Sequence, residues 1–224
     1  MKKRTLMSQQ TAYATIFLGI FLLLVVIAQV LYKLLNVSAE NSRKFLHVSG
    51  GFLGLCLPRF FNSPSWVLVL CSLAFLLLFV TYIQNWLPAI HHTKRKSIGS
   101  VVYPIPVYLC FLVASEKSNL LLFYLPISLL TISDTLAELG GRKWGEQWGT
   151  LMYSQKTVAG SLSFALSALV ISIAWAMTSN FTPQQVTIMS VTITFIATTT
   201  EMVSTRGLDN ITVPLSTMAC LLLF

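Results

Sequence analysis

SDTLAELGGRKWGEQWGTLMYSQKTVAG, residues 133–160, is the stretch from which the rest of the sequence can be interpreted. It lies between two long apolar runs, in a chain of which only 10% is charged. Its charged residues and glycines predict a polar connection that is divided into turns. We therefore expect this stretch to lie at a membrane surface and to form the centre of a site.

The composition is that of an integral membrane protein. Of the 224 residues, 55% are hydrophobic, whereas soluble domains are about 45–50% apolar and about 25% charged. We predict a single membrane domain, residues 1–224. The net charge of +8 lies mostly in short loops, which favours phosphates and anionic headgroups over nucleic acid as partners. The cysteines form no CxxC and lie in or beside apolar runs, so we expect membrane-packed thiols.

The predicted fold is an all-α, polytopic membrane bundle with seven or eight transmembrane segments. A helix needs about 20 apolar residues to cross a bilayer. The first apolar run is too long for a signal-peptide core, so we expect a retained helix. The second, fourth and eighth segments are short and could be tilted, half-inserted or buried. The eight candidates are 12–35, 44–58, 65–87, 100–115, 118–139, 157–178, 184–204 and 210–224.

Eight crossings would place most ionisable residues on one face of the membrane. That face would carry ten of the fifteen basic residues and six of the seven acidic ones. The excess of basic residues predicts that it is cytoplasmic. If this face is cytoplasmic, the N-terminal bases Lys2, Lys3 and Arg4 lie outside the cell. These three residues therefore favour the opposite orientation.

The first candidate site is RKFLHVSGG, residues 43–51. Arg43 and Lys44 can share a helical face with His47. Two cations and an imidazole could hold a phosphate or tune a proton acceptor. The alternative is a headgroup anchor with a hydrogen-bonded histidine. Gly50 and Gly51 would allow a close backbone approach.

The second candidate site is SIGSVVYP, residues 97–104. Ser97, Gly99 and Ser100 are small residues at a predicted helix start, where backbone N–H groups can bind an anion. The preceding basic run, residues 91–96, is more typical of a lipid-surface anchor, and its histidines lack a third metal ligand at a suitable spacing.

The third candidate site is in the stretch quoted first. Asp134 and Glu138 are four residues apart, so both carboxylates project from one helical face. Carboxylates at membrane depth are costly and therefore indicate function. They could bind Mg²⁺ together with substrate phosphates, or accept the proton of an attacking hydroxyl. Arg142, Lys143 and Lys156 suit a nucleotide phosphate tail. The alternative is a helix end with an ion-paired loop.

The fourth candidate site is EMVSTRGLDNITVP, residues 201–214. Glu201 lies inside the seventh predicted segment, and Asp209 and Asn210 lie at the start of the eighth. Asp209 is in a position suited to a simple N-cap. A metal ligand or nucleotide contact is the alternative.

These motifs, with KTVAGS at residues 156–161, resemble the family of CTP-dependent lipid-alcohol kinases. The family contains phytol kinase, farnesol kinase, dolichol kinase and the fungal CTP-dependent diacylglycerol kinase. The resemblance spans about residues 43–214 and leaves out the first helix. It implies transfer of the γ-phosphoryl group of CTP to a lipid hydroxyl, with Mg²⁺ as cofactor and a cytoplasmic site. Ala159, where many relatives have an acidic residue, favours a prenol substrate over dolichol.

The resemblance and the residue chemistry together give three sets of candidate site residues. The catalytic candidates are Asp134, Glu138, His47 and Lys156. The candidate metal ligands are Asp134, Glu201 and Asp209. The nucleotide- or phosphate-binding candidates are Arg43, Lys44, Ser97, Gly99, Ser100, Gly141, Arg142, Lys143, Gly145, Lys156, Thr157, Gly160 and Asn210.

Two other functions are compatible with parts of the sequence. A cytidylyltransferase that makes a CDP-lipid from a lipid phosphate would need the same nucleotide, metal and membrane face. A transporter of an anionic solute would need polar residues through the full membrane depth. The seventh segment is rich in hydroxyl residues, but the middles of the first, third and sixth are almost wholly apolar.

Overall fold

The computed structural model describes residues 2–91, 97–151 and 156–224, with side chains from residue 7 onward. The described part is helical, with no strand among its residues. In chain order the helices are α1 (Lys2–Lys33), α2 (Ala39–Leu55), α3 (Leu57–Phe60), α4 (Pro64–Ile83), α5 (Pro88–His91), α6 (Gly99–Val102), α7 (Pro104–Glu116), α8 (Leu121–Ser128), α9 (Asp134–Trp148), α10 (Val158–Met177), α11 (Pro183–Val203) and α12 (Asp209–Leu221). A π-helical turn (Leu129–Ser133) joins α8 to α9.

Six helical stretches in the described residues are long and apolar enough to cross a membrane. They are Met7–Lys33, Pro64–Ile83, Gly99–Glu116, Leu121–Trp148, Val158–Met177 and Pro183–Val203. The predicted all-helical membrane bundle is confirmed, with six such segments where the sequence predicted seven or eight out of eight candidates. The other two correspond to α2, with 17 residues, and α12, with 13. α12 is shorter than the length that a full crossing requires, and α2 lies at the lower limit of that length.

Large apolar side chains on the outer helix faces support a lipid-facing surface. Val170 on α10 is 67% exposed and Phe195 on α11 is 71% exposed. The main core instead lies between the helices and includes Phe123, Leu125 and Phe164. Exposed apolar faces around a packed interior are expected where the surroundings are lipid rather than water.

The fifth predicted segment was placed at residues 118–139, but the helical path continues to Trp148. The glycines of GGRKWG were expected to form turns, and this expectation is wrong for Gly140, Gly141 and Gly145. They lie where α9 packs closely on α10: a Cβ on Gly145 would be 2.7 Å from Cγ2 of Thr157. Gly149 does end the helix, in a conformation with φ of 81° that favours glycine.

Backbone hydrogen bonds on either side of residues 152–155 bring the start of α10 beside the end of α9. The Leu151 N–H donates to the Lys156 carbonyl at 2.8 Å, and the Val158 N–H donates to the Gly149 carbonyl at 3.1 Å. The Thr157 hydroxyl then caps α10 by accepting from the Gly160 N–H. These contacts place Lys156 at the start of α10, directly beside α9.

Candidate functional site at the helix ends

The first half of α2 packs against α9 through a set of ion pairs that we call the Lys44 cluster (Lys44, Asp134, Glu138, Arg43 and Arg142). The Lys44 ammonium is 3.1 Å from Asp134 Oδ2 and 2.7 Å from Glu138 Oε2. One turn of α9 separates the two carboxylates, so both face α2 as the sequence spacing predicted. A single cation therefore bridges the acids that were expected to do the chemistry.

Two arginines complete the Lys44 cluster around Glu138. Arg43 lies 3.8 Å from Glu138, and Arg142 forms an ion pair with the same carboxylate from one turn along α9. Arg142 also donates to the Asn41 side-chain oxygen at 2.6 Å. The cluster holds three basic groups and two acidic ones, and it is therefore suited to accept an anion.

His47 joins the Lys44 cluster to the π-helical turn. Its Nε2 lies 2.9 Å from the Leu130 carbonyl oxygen and 3.5 Å from Asp134 Oδ2. A carbonyl only accepts, so Nε2 carries the proton in that hydrogen bond. Burial lowers the pKa of His47 below its ordinary value and the nearby Lys44 lowers it further. The imidazole is consequently neutral near pH 7.

A second group, the Lys156 cluster (Lys156, Glu201, Asp209 and Ser161), joins the starts of α10 and α12 to the end of α11. The Lys156 ammonium is 2.7 Å from Glu201 Oε1 and 2.6 Å from Asp209 Oδ2. Ser161 donates to the other Glu201 oxygen at 3.1 Å. Glu201 is only 1% exposed, so this lysine and serine compensate a carboxylate that water scarcely reaches.

The two clusters act on each other electrostatically through Lys156. Burial alone would lower the pKa of Lys156, but the charges of Asp209, Glu201 and Asp134 outweigh this effect and raise the pKa. Asp134 belongs to the Lys44 cluster, so its field reaches the second lysine. Together the clusters hold four cations and four carboxylates.

The loop before α6 packs against the loop before α12. The Ile98 N–H donates to the Arg206 carbonyl at 3.1 Å, and the Gly99 N–H donates to Ser97 Oγ at 3.2 Å. A Cβ on Gly99 would lie 2.8 Å from the Asn210 side-chain nitrogen. The structure thus brings the second and fourth sequence motifs together, with Gly99 serving this close approach.

Several predicted phosphate-binding residues lie in packing contacts. Gly141, Gly145 and Gly160 form the α9–α10 contact with Thr157, where a Cβ on Gly160 would be 2.9 Å from the Ala137 carbonyl oxygen. Lys143 is exposed and its ammonium stacks over Trp144 at 4.8 Å from the ring centre. Residues 92–96 of the basic run lie outside the described residues.

The three predicted metal ligands are divided between the clusters, with Asp134 at Lys44 and both Glu201 and Asp209 at Lys156. Among the described side chains, no group of three or more His, Cys, Asp or Glu residues is arranged around a metal position. Each lysine ammonium occupies the point on which two carboxylates converge.

Some site residues carried no signal in the sequence reading. Asn41, which binds Arg142, lies just before the first motif, and Ser161, which binds Glu201, ends the KTVAGS motif but was not a candidate site residue. Thr131 is 3.1 Å from the Tyr103 hydroxyl and lies where a Cβ on Gly51 would overlap it. Gly51 therefore makes the expected close approach, whereas nothing lies within 4 Å of a Cβ on Gly50.

A curated phytol kinase from Synechocystis sp. is 28% identical to this chain over 195 residues. The match covers 85% of this chain and 82% of that protein. No protein-family model matches the chain, and no solved structure matches it. The similarity supports a relation to lipid-alcohol kinases without singling out one of them.

Proposed function

We propose that this protein is a membrane-embedded kinase that transfers the γ-phosphoryl group of a nucleoside triphosphate, preferably CTP, to the hydroxyl of a lipid alcohol. The alcohol is a prenol such as phytol, farnesol or a polyprenol. One observation carries the proposal: four cations and four carboxylates meet at the helix ends of an apolar bundle. The similarity to a phytol kinase supports it independently.

The proposed reaction is an in-line phosphoryl transfer. The alcohol oxygen forms a bond to the γ-phosphorus while the bond from that phosphorus to the leaving diphosphate breaks. The hydroxyl proton passes to the Asp134 carboxylate, which stands 3.5 Å from the His47 ring. His47 lies beside the acceptor hydroxyl, while its own proton stays on Nε2 and is donated to the Leu130 carbonyl.

The cations of the two clusters neutralise the triphosphate. Lys44 and Lys156 are each held by two carboxylates in the structure. On nucleotide binding these ammonium groups exchange a carboxylate oxygen for a phosphate oxygen. Arg43 and Arg142 add charge at the more exposed edge. Most of the rate enhancement would come from positioning and electrostatic stabilisation, as in other phosphoryl transfers.

The carboxylates also fit the Mg²⁺ that accompanies a nucleoside triphosphate. Glu201 and Asp209 already converge on one ammonium at 2.7 and 2.6 Å, and Mg²⁺ takes one or two carboxylates beside phosphates and water. These two residues, with Asp134 across the site, would hold it. The ion supplies charge neutralisation at the triphosphate when bound.

The proposal includes the orientation in the membrane. The nucleotide is cytosolic, so the helix ends that carry the clusters would face the cytoplasm. The ten-to-five distribution of basic residues, which counts α2 as a crossing, favours this orientation. Lys2, Lys3 and Arg4 would then lie on the opposite side.

The decisive experiment follows the γ-phosphate. Purified protein is incubated with Mg²⁺, one of γ-labelled CTP, UTP or ATP, and one alcohol from a panel of phytol, farnesol, geranylgeraniol, undecaprenol and diacylglycerol. We expect the label on a prenol, with CTP as the best donor. Label in pyrophosphate, released when a lipid phosphate is supplied, would instead identify a cytidylyltransferase. No labelled lipid with any combination would overturn the proposal.

A further inference from the structure

An apolar groove runs along the side of α2 that faces α1, α4 and α7. Phe17 and Phe21 of α1 form one wall, and Leu70 and Ala74 of α4 form the other. Val107 of α7 also contributes to the lining. These residues offer no hydrogen bond along most of the groove, so the groove suits a hydrocarbon.

Polar groups line the end of this groove at which His47 lies. His47, Ser100 and Tyr103 stand there, and the His47 ring packs edge-on against the Tyr103 ring with centroids 5.0 Å apart. The His47 Nε2 is 3.5 Å from Asp134 Oδ2. The groove therefore ends beside the Lys44 cluster, and the His47 imidazole lines the groove and contacts the cluster through Asp134.

Two glycines keep the middle of the groove open. Gly50 and Gly54 lie one turn apart on α2, on the same face as His47. Nothing lies within 4 Å of a Cβ on Gly50, and a Cβ on Gly54 would meet only Val107, at 4.0 Å. Neither glycine is needed for helix packing, in contrast to Gly51 between them.

The length of the groove sets the length of hydrocarbon that it can hold. From His47 to Leu57, both of which line it, ten residues of helical rise correspond to about 15 Å. An extended hydrocarbon of about twelve carbons has that length, because each bond of about 1.5 Å advances a zigzag chain by about 1.25 Å.

We infer that this groove binds the hydrocarbon chain of a single-chain lipid alcohol, with the hydroxyl at His47 and Asp134 and the distal end near Leu57. The inference rests on the proposed kinase function and adds to it the path of the substrate and its class. A prenol has one chain and fits. A diacylglycerol has two chains and leaves one without a place in the groove.

Selection in this groove depends on shape. A chain that moves from lipid into protein gains little from burial alone, because the bilayer is as apolar as the groove. Discrimination must come from close packing contacts and from steric exclusion. A side chain added inside the groove should therefore change which chain lengths are accepted.

The test uses the same substitution at three helix glycines. Gly54→Leu narrows the far half of the groove and Gly50→Leu narrows the half near His47. Gly19→Leu on α1 is the matched control, because nothing lies within 4 Å of its Cβ and Gly19 is exposed outside the groove. Rates are measured with geraniol, farnesol and geranylgeraniol, which share a head group and differ in length.

We expect Gly54→Leu to reduce the rate with geranylgeraniol about tenfold relative to geraniol, an effect within the usual cost of overpacking. Gly50→Leu should reduce the rate with all three alcohols, and Gly19→Leu should leave the profile unchanged. The ratio of rates within one preparation does not depend on how much of the variant folds. An unchanged ratio in Gly54→Leu would overturn the inference and leave the kinase proposal standing.

A photolabel tests the groove without relying on turnover. Farnesol, whose main chain has the length of about twelve carbons that the groove can hold, is expected to label peptides of α2 and α4 near Leu57 and Leu70 when it carries a diazirine at its distal end. Unlabelled geranylgeraniol should compete for this labelling, and diacylglycerol should not.

Two labelling results would contradict the inference. In one, the label is confined to the outer faces of α10 and α11. In the other, bilayer lipid competes with the label in the groove and prenol does not. If the wild-type protein phosphorylates no alcohol but is labelled in the groove, the kinase proposal fails and the groove assignment remains.

Discussion

The Lys44 cluster and the Lys156 cluster share one motif, an ammonium between two carboxylates, but differ in their construction. In the first, Asp134 and Glu138 come from a single helix, and Arg43 and Arg142 add two further cations. In the second, Glu201 and Asp209 come from two helices, and among the described side chains Lys156 is the basic residue that pairs with both. Counted as ions, the first carries three positive against two negative charges, and the second carries one against two.

This difference in charge indicates that the two clusters bind different parts of the substrate complex. An excess of positive charge suits the triphosphate, and an excess of negative charge suits the cation that travels with it. The two clusters also differ in burial. The Glu201 side chain of the Lys156 cluster is 2% exposed, whereas the Glu138 side chain of the Lys44 cluster is 23% exposed. We therefore expect substitutions in the Lys44 cluster to affect chemistry first, and substitutions in the Lys156 cluster to affect folding as well.

The largest effect is expected from Asp134→Asn. The amide keeps the shape of the side chain but cannot accept the hydroxyl proton, so kcat should fall by about 10²–10⁴. The measurement is lipid phosphorylation by protein whose folding is verified by thermal unfolding. Glu146→Gln is the matched control, because Glu146 lies exposed on the same helix. A folded Asp134→Asn protein with full activity would remove Asp134 from the centre of the site.

Lys156→Met should impair both activity and stability. It leaves Glu201 buried beside Asp209 without this cation, and breaking one side of a buried pair costs about 3–5 kcal/mol. The double variant Lys156→Met/Glu201→Gln removes one of the uncompensated charges and should recover much of the thermal stability in detergent without recovering activity. If the double variant regains activity as well, Lys156 serves only the fold and the division between the clusters is wrong.

A smaller effect is expected from Arg142→Ala. The Arg142 side chain is 39% exposed, and exposed ion pairs contribute about 0.2–1 kcal/mol. The KM for nucleotide should rise about fivefold with little change in kcat, since 1.4 kcal/mol corresponds to tenfold. Steady-state kinetics with varied CTP measure both constants. A loss of kcat with an unchanged KM would instead assign Arg142 to the transition state alone.

The smallest effect is expected from Lys143→Ala. Lys143 neighbours Arg142 in sequence, but its ammonium stacks over Trp144 on an exposed part of α9 and lies in neither cluster. We expect a change of less than about twofold in KM, because isolated surface charges contribute little. A KM increase that matches or exceeds that of Arg142→Ala would show that the nucleotide extends further along α9 than the clusters do.

Much of the fold and of the ionic site follows from the sequence. Apolar runs of membrane length predict the spanning helices because lipid requires every backbone group to be paired. The spacing of Asp134 and Glu138 places both on one helix face, and Lys44 does contact both. Rare charges in such a chain are informative, because each carries a cost that must be compensated.

The glycines could not be interpreted from the sequence in the same way. Gly141 and Gly145 look like turn residues beside a basic loop, yet they allow α9 to pack against Thr157. Gly50 and Gly51 are adjacent, but one opens onto the groove and the other packs against Thr131. Which of these roles a glycine has depends on the neighbouring helix, and the local sequence contains no information about that neighbour.

The π-helical turn has a consequence for the angular position of the site. The Asp134 N–H donates to the Leu129 carbonyl, five residues back, so the turn holds one residue more than an α-helix would. Each residue of an α-helix advances the chain by about 100°. Deleting one residue from this turn would therefore rotate α9 by roughly that angle relative to α8. Asp134 and Glu138 would then point away from Lys44 while the apolar face of α8 kept its place in the core. The extra residue thus sets the direction of the carboxylates independently of the packing of the helix that precedes them.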